Sequence, residues 1–346
     1  MASVATHKPW RVGPGDTVAV VSPSFGAVGR WPHRAERATA YLESLGLRVR
    51  IMPNAASSES WVSASPEARA DDLHAAFSDD DVAVVLAGIG GNHSNQVLSY
   101  LDYELIADHP KIFQGFSDMT VLHWAFLKHA GLSTFYGPAF TLALAEYPEV
   151  LPHTDGWLRS AWFGDEPLAF EPATEWTHEL LDFDAKADLT RARVMQPASG
   201  WKTIRSGAAS GPLLGGCLET IGMHLKGSTE WLDLAGAVLF IETSEESPYP
   251  ASADAYLTDL RLLGVFDEIA GLIVGRPYKY GAQEAATLWR LVEEHTAAAG
   301  VPVLADFDVG HTDPMLTLPL GVRVELDAGA RSIATTEAPT RERRGE

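Results

Sequence analysis

The sequence predicts an α/β fold, with a doubly wound parallel sheet in the N-terminal half and a mixed second half. Across residues 17–136, short β-branched runs alternate with amphipathic stretches, as parallel strands covered by helices require. Cap and turn residues stand where those helices must start and stop. After about residue 165 the rhythm breaks under Pro167, Pro172, Pro197 and several glycines. That break marks a boundary between domains.

In chain order, the predicted strands of the first half are 17–21, 48–52, 82–87, 111–114 and 133–136. Between them Ala38, Tyr41, Leu42 and Leu45 recur at helical spacing before Gly46, a C-terminal stop. Ser65-Pro66 reads as a helix cap followed by a first-turn proline. The segment 166–210 carries Trp176, Phe183 and Trp201. Linkers rarely spend aromatics so freely, so the segment is expected to pack on something or to cover a site. The expected division is therefore a domain over 1–165, an insert over 166–210 and a second domain over 211–346. That last part reads as helix 217–225, strand 237–241, helix 253–263, strand 271–274 and helix 284–298. Short strands at 301–304 and 322–326 and a charged tail at 341–346 complete it, and the pattern sets no topology there.

Composition bounds the function. A chain of 346 residues with 46% hydrophobic and 21% charged residues is long enough for about two ordinary globular domains. Its net charge of −20 disfavours a nucleic-acid partner, because phosphate binding needs a basic surface. Cys217 is the sole cysteine and no Cys/His cluster has zinc spacing. Neither a metal nor a cofactor is expected. Residues 1–10 lack the apolar core of a signal peptide, and no apolar run approaches the ~18 residues of a membrane span. The expectation is a soluble cytoplasmic protein with no membrane partner.

Four turns could carry chemistry. Lys111-Ile112-Phe113-Gln114-Gly115-Phe116-Ser117-Asp118 leads from a strand into an amphipathic stretch. A serine at such a turn can expose its Oγ above the sheet edge, beside N–H groups that would hold an oxyanion. The glycine that usually follows the serine is absent, and a plain helix cap would read the same way. Gly88-Ile89-Gly90-Gly91-Asn92-His93 places His93 where a dinucleotide fingerprint needs its third glycine. Its glycines could instead let the backbone approach a substrate, or form an ordinary tight turn. Glu242 ends the apolar run 237–241, and His311 stands in the loop signal Val309-Gly310-His311-Thr312-Asp313-Pro314. A Ser, a Glu and a His in this order could supply a nucleophile, an orienting carboxylate and a general base. Each is also compatible with a structural role.

The segments Gly13-Pro14-Gly15-Asp16-Thr17, Val21-Ser22-Pro23, Ile89-Gly90-Gly91-Asn92, Gly115-Phe116-Ser117-Asp118, Tyr136-Gly137-Pro138, Gly215-Gly216, Leu239-Phe240-Ile241-Glu242 and Gly310-His311 occur in one order along nearly the whole chain. Together they resemble the serine LD-carboxypeptidase family. The resemblance implies a flavodoxin-like or amidotransferase-like N-terminal domain, a smaller β-rich swivelling-type C-terminal domain, and a homodimer. It maps a nucleophile onto Ser117, a carboxylate onto Glu242 and a base onto His311, with the N–H groups of Gly91 and Asp118 as oxyanion hole. Ile89 to Asn95, the acidic run from Glu242 to Glu246 and the aromatic insert resemble the microcin C self-immunity branch more than the murein-recycling branch.

That branch implies an aminoacyl or peptidyl nucleotide as substrate, cleaved at the amino-acid carboxyl group. Asn92, Trp176 and Trp201 are then the expected substrate contacts, an indole stacking on the base. Two departures from the pattern are Cys217, where the family often has Asn, and Phe183, where the branch often has Trp. The alternatives are a murein tetrapeptide LD-carboxypeptidase and, from another class, a catalytically silent small-molecule binding protein.

Overall fold

The computed structural model describes residues 7–342; the first six residues and positions 343–346 of the charged tail lie outside the described residues. Five parallel strands form the first sheet: β1 (Thr17–Val21), β2 (Arg48–Ile51), β3 (Val82–Ala87), β4 (Ile112–Gly115) and β5 (Thr134–Tyr136). Their spatial order is β5-β4-β3-β1-β2, a doubly wound order whose connections reverse direction beside β1. Such sheets open a crevice beyond the carboxyl ends of their strands. β1 and β4 are buried throughout, as strands covered on both faces must be. The end of one flanking helix and the start of the next fall where the sequence predicts. Pro32–Ser44 opens on its proline and stops before Gly46 at φ +83°, and Ser65 Oγ accepts from Ala68 N at 3.3 Å to cap Pro66–Ser78.

Next come the two-residue strands β6 (Glu175–Trp176) and β7 (Gln196–Pro197), paired with each other. Then follow β8 (Lys202–Arg205), β9 (Ala208–Cys217), β10 (Val238–Glu242), β11 (Gly271–Gly275), β12 (Val303–Phe307), β13 (Leu318–Leu320), β14 (Arg323–Asp327) and β15 (Ser332–Thr335). The second sheet runs β15-β14-β9-β10-β11-β12-β8, with β9 to β12 parallel. The fold is thus a parallel-sheet domain joined to a β-rich second domain.

The units are less separable in the chain than the expected boundaries at 165 and 210 imply. β8 and the start of β9 fall before residue 211 yet belong to the second sheet, while β13 returns to pair antiparallel with β5 in the first. These strands are short or rich in small residues, and distant ladder partners rather than local pattern make them strands.

Two neighbouring glycines set close approaches, Gly215 between β9 and β10 and Gly216 between the two domains. A Cβ on Gly215 would lie 1.9 Å from Phe240 O, and one on Gly216 would lie 2.3 Å from Thr120 Cγ2. Only glycine lets β9 press against the helical turn that follows Ser117. Two hydrogen bonds fix the contact: Cys217 N donates to Thr120 Oγ1 at 3.0 Å, and Trp124 Nε1 donates to Gly215 O at 2.9 Å. Glu242 pairs in register with Cys217, so this seam brings the end of β10 beside the end of β4.

Candidate active site

Ser117 follows β4 after one residue and adopts φ +63°, a left-handed conformation uncommon for a residue with a side chain and frequent at functional turns. Its hydroxyl caps no helix. Instead Ser117 Oγ lies 3.1 Å from His311 Nε2, and His311 Nδ1 lies 2.8 Å from Glu242 Oε2. Three side chains, 69 residues apart in one pair and 194 in the other, thus form one hydrogen-bonded line. Glu242 is fully buried at the end of β10. Gly310, at φ +105°, admits it: a Cβ there would lie 2.3 Å from Glu242 Oε2.

Opposing effects set the charge of His311. Burial disfavours the imidazolium, but the Glu242 carboxylate overrides burial through its charge and hydrogen bond, and Glu245 and Glu219 add to it. The net result raises His311 to about 9. Burial and the charge of Glu242 push the Tyr136 phenol well above its usual value. Glu219 is raised for the same two reasons, and its carboxylate accepts from the buried Cys217 Sγ at 3.0 Å.

The glycine-rich turn after β3 packs directly against this serine. A Cβ on Gly90 would fall 2.8 Å from Ser117 Cβ and 3.3 Å from Asp118 N, so the turn and the elbow share one small space. Asp118, buried behind them, holds them together: its Oδ2 accepts from His93 N at 3.0 Å and Ser94 N at 2.9 Å. Ser94 Oγ returns a bond to Asp118 O at 2.8 Å.

A cavity of about 620 Å³ opens over Gly90, Gly91, Ser117 and His311. Residues of the insert from His178 to Asp184 form part of its wall. Phe25, Trp31 and Phe183 make an aromatic corner, with ring centroids 5.7 Å apart for Phe25 and Trp31 and 5.2 Å for Trp31 and Phe183. The Arg34 guanidinium lies 3.8 Å from the Phe183 centroid. Ion pairs pin this stretch of the insert to the first domain, from Asp184 to Arg30 and from Asp188 to Arg34 and Arg37.

None of the three expected substrate contacts is among the residues that line the cavity. Trp201 is only 2% exposed, packs on Phe307 and donates from Nε1 to Asp308 Oδ2 at 2.8 Å. Both faces and the polar edge of that indole are committed to the core, so no base can stack on it. Trp176 lies outside the cavity wall, with the Arg276 guanidinium over its ring at 5.0 Å and His178 against its edge. Asn92, next to the lining residue Gly91, is exposed and donates to Glu246 Oε1 at 3.3 Å. Phe183, Trp31 and Phe25 are the aromatic rings that line the cavity. In the sequence Phe183 stands out as a departure from the branch pattern, whereas Trp31 carries no signal. Tyr136 carries no signal of a site role beyond its place in the segment Tyr136-Gly137-Pro138.

Comparison with known proteins defines the class. Residues 18–137 match the LD-carboxypeptidase N-terminal domain and residues 210–326 match the LD-carboxypeptidase C-terminal domain. The chain belongs to the LD-carboxypeptidase family, a serine peptidase family, and is a hydrolase of carboxypeptidase type. A Bacillus subtilis chain named as a carboxypeptidase, YocD, is 33% identical over 322 residues, 92% of this chain and 96% of its own. The microcin C7 self-immunity protein MccF of Escherichia coli is 29% identical over 332 residues, 93% of this chain and 94% of its own. The murein tetrapeptide carboxypeptidase of Pseudomonas aeruginosa is 29% identical over 273 residues, 77% of this chain and 80% of its own. In three dimensions MccF in complex with aspartyl sulfamoyl adenosine superposes with a TM-score of 0.88 at 27% identity, covering 97% of this chain and all of that one. Within the family the fold is that of the MccF-like branch. Among the described residues no helix is long and apolar enough to cross a membrane.

Proposed function

We propose that this protein is a serine hydrolase that cleaves aminoacyl or peptidyl nucleotides at the amino-acid carboxyl group. The observation that carries the reading is the line Ser117–His311–Glu242 opening into a cavity with an aromatic corner. A volume of about 620 Å³ suits a ligand of nucleotide size, and Phe183 and Trp31 offer flat apolar surface for a base. The likeness to MccF bound to aspartyl sulfamoyl adenosine, and to an MccF-like protein of Streptococcus pneumoniae bound to AMP at a TM-score of 0.83, supports that substrate class.

In this mechanism Ser117 Oγ attacks the amino-acid carbonyl while His311 Nε2 takes its proton. Glu242 holds the imidazole by Nδ1 and stabilises the imidazolium. The N–H groups of Gly91 and Asp118 receive the oxyanion in the space between turn and elbow. The imidazolium then protonates the leaving atom and the nucleotide part departs; His311 next takes a proton from water as it attacks the acyl carbon and returns that proton to Ser117 Oγ as the amino acid is released. The deciding experiment compares hydrolysis of an aminoacyl sulfamoyl adenosine with that of a murein tetrapeptide. Higher kcat/KM on the nucleotide is expected. A preference for the peptide would replace this reading with cell-wall recycling, and turnover of neither, without fluorophosphonate labelling of Ser117, would leave a binding protein.

A further inference from the structure

Glu242 has two oxygens to satisfy in a fully buried setting, and only Oε2 faces His311. Oε1 accepts from Tyr136 Oη at 2.5 Å. The same phenol oxygen accepts from Ser117 N at 2.9 Å. Tyr136 ends β5, beside Gly115 at the end of β4, whereas Glu242 ends β10 in the other sheet. Its ring is fully buried against Phe240, with centroids 5.0 Å apart. A single hydroxyl therefore ties the backbone of the strained elbow to the carboxylate that orients the imidazole.

We propose that Tyr136 is a positioning residue that fixes the nucleophile elbow relative to Glu242 across the two sheets. The proposal rests on Ser117 acting as the nucleophile. Two consequences follow from the bonds themselves. With Oε1 occupied, the carboxylate cannot rotate away from His311 without leaving a buried hydroxyl and a buried oxygen unpaired. With its own N–H given to Tyr136, Ser117 cannot donate to an oxyanion, so that task falls to the next N–H, Asp118, and to Gly91. The phenol keeps its proton throughout and acts only as donor and acceptor.

Tyr136→Phe keeps the ring and its packing and deletes this hydroxyl. The test is the second-order rate at which a fluorophosphonate labels Ser117, a readout that counts only reactive sites and needs no knowledge of the substrate. Labelling is expected to slow by about 10–100-fold, the scale of one hydrogen bond to a charged group. kcat on whichever substrate is turned over should fall by a similar factor with KM unchanged. An unchanged labelling rate overturns the proposal, as does a rise in KM at constant kcat. Failure to label Ser117 in the wild-type protein overturns the underlying nucleophile assignment instead.

Discussion

Removing the charge of Glu245 should make the enzyme faster near neutrality. With His311 at about 9, only about 1% of the imidazole is neutral at pH 7, and only that form can accept the Ser117 proton. kcat/KM should therefore rise about tenfold per pH unit and level off above pH 9. Burial opposes the imidazolium, while Glu242, Glu245 and Glu219 favour it. Of these carboxylates only Glu245 is substantially exposed, its side chain 69% accessible and its Oε2 3.8 Å from His311 Nε2. At that distance in a water-like dielectric the attraction is roughly 1 kcal/mol, or about 0.8 of a pH unit, before salt screening. Because the negative charge stabilises the protonated ring, Glu245→Gln lowers the midpoint by roughly 0.5–0.8 of a pH unit. kcat/KM at pH 7 then rises about three- to sixfold, while the alkaline plateau stays where it was. High salt should move the wild-type profile toward that of the variant. A limb that stays fixed, or shifts upward, refutes the assignment of His311 as the base governed by these carboxylates.

Ser117→Ala, His311→Ala and Glu242→Ala should each reduce turnover by about 10⁴–10⁶-fold, and combining either of the last two with Ser117→Ala should cost little more; fully additive losses would show that the three do not act as one unit. Phe183→Ala should raise KM for an aminoacyl nucleotide about 5- to 150-fold, the roughly 1–3 kcal/mol scale of base–aromatic stacking, with kcat held. By contrast Trp201→Ala should lower unfolding stability by about 3–5 kcal/mol, measured by denaturant melts, and leave KM unaltered. Asp118→Ala should depress kcat through loss of the clamp on His93 N and Ser94 N, whereas Asp118→Asn, which keeps an acceptor there, should retain most activity; equal losses in the two variants would count against the clamp.

How much of this could be read beforehand differs by element. The first sheet was legible because its central strands are buried on both faces and must be apolar, and Ser65-Pro66 and Gly46 state their local geometry outright. β8, β9 and β13 were not, since partners far along the chain impose their strand state. Ser117, Glu242 and His311 could each be picked out as strand-end or turn residues. Their convergence depends on the fit of Gly216 against Thr120 and of Gly310 against Glu242, and a close approach between distant glycines and side chains leaves no periodic trace. Trp201 misled for a related reason: composition reports that an aromatic is present, and only packing decides whether its face meets a ligand or the core.

The absent glycine after Ser117 shows how the site is divided between the two sheets. In its place stands Asp118, whose carboxylate reaches back to the turn after β3, so the nucleophile and both proposed oxyanion donors come from one rigid unit of the first sheet. The base and its carboxylate come from loops and strand ends of the second. A displacement between the sheets would then lengthen the 3.1 Å contact from Ser117 to His311 while leaving the oxyanion pocket whole. Proton transfer is therefore the step most exposed to domain motion. The contacts that oppose such motion sit beside it: the Thr120–Cys217 bond, the Trp124–Gly215 bond and the two bonds of the Tyr136 hydroxyl. Together with the bonds of Lys128 to Thr229 O and Trp231 O and of His129 to Glu230 further along the seam, they hold the two sheets in the register on which that distance depends.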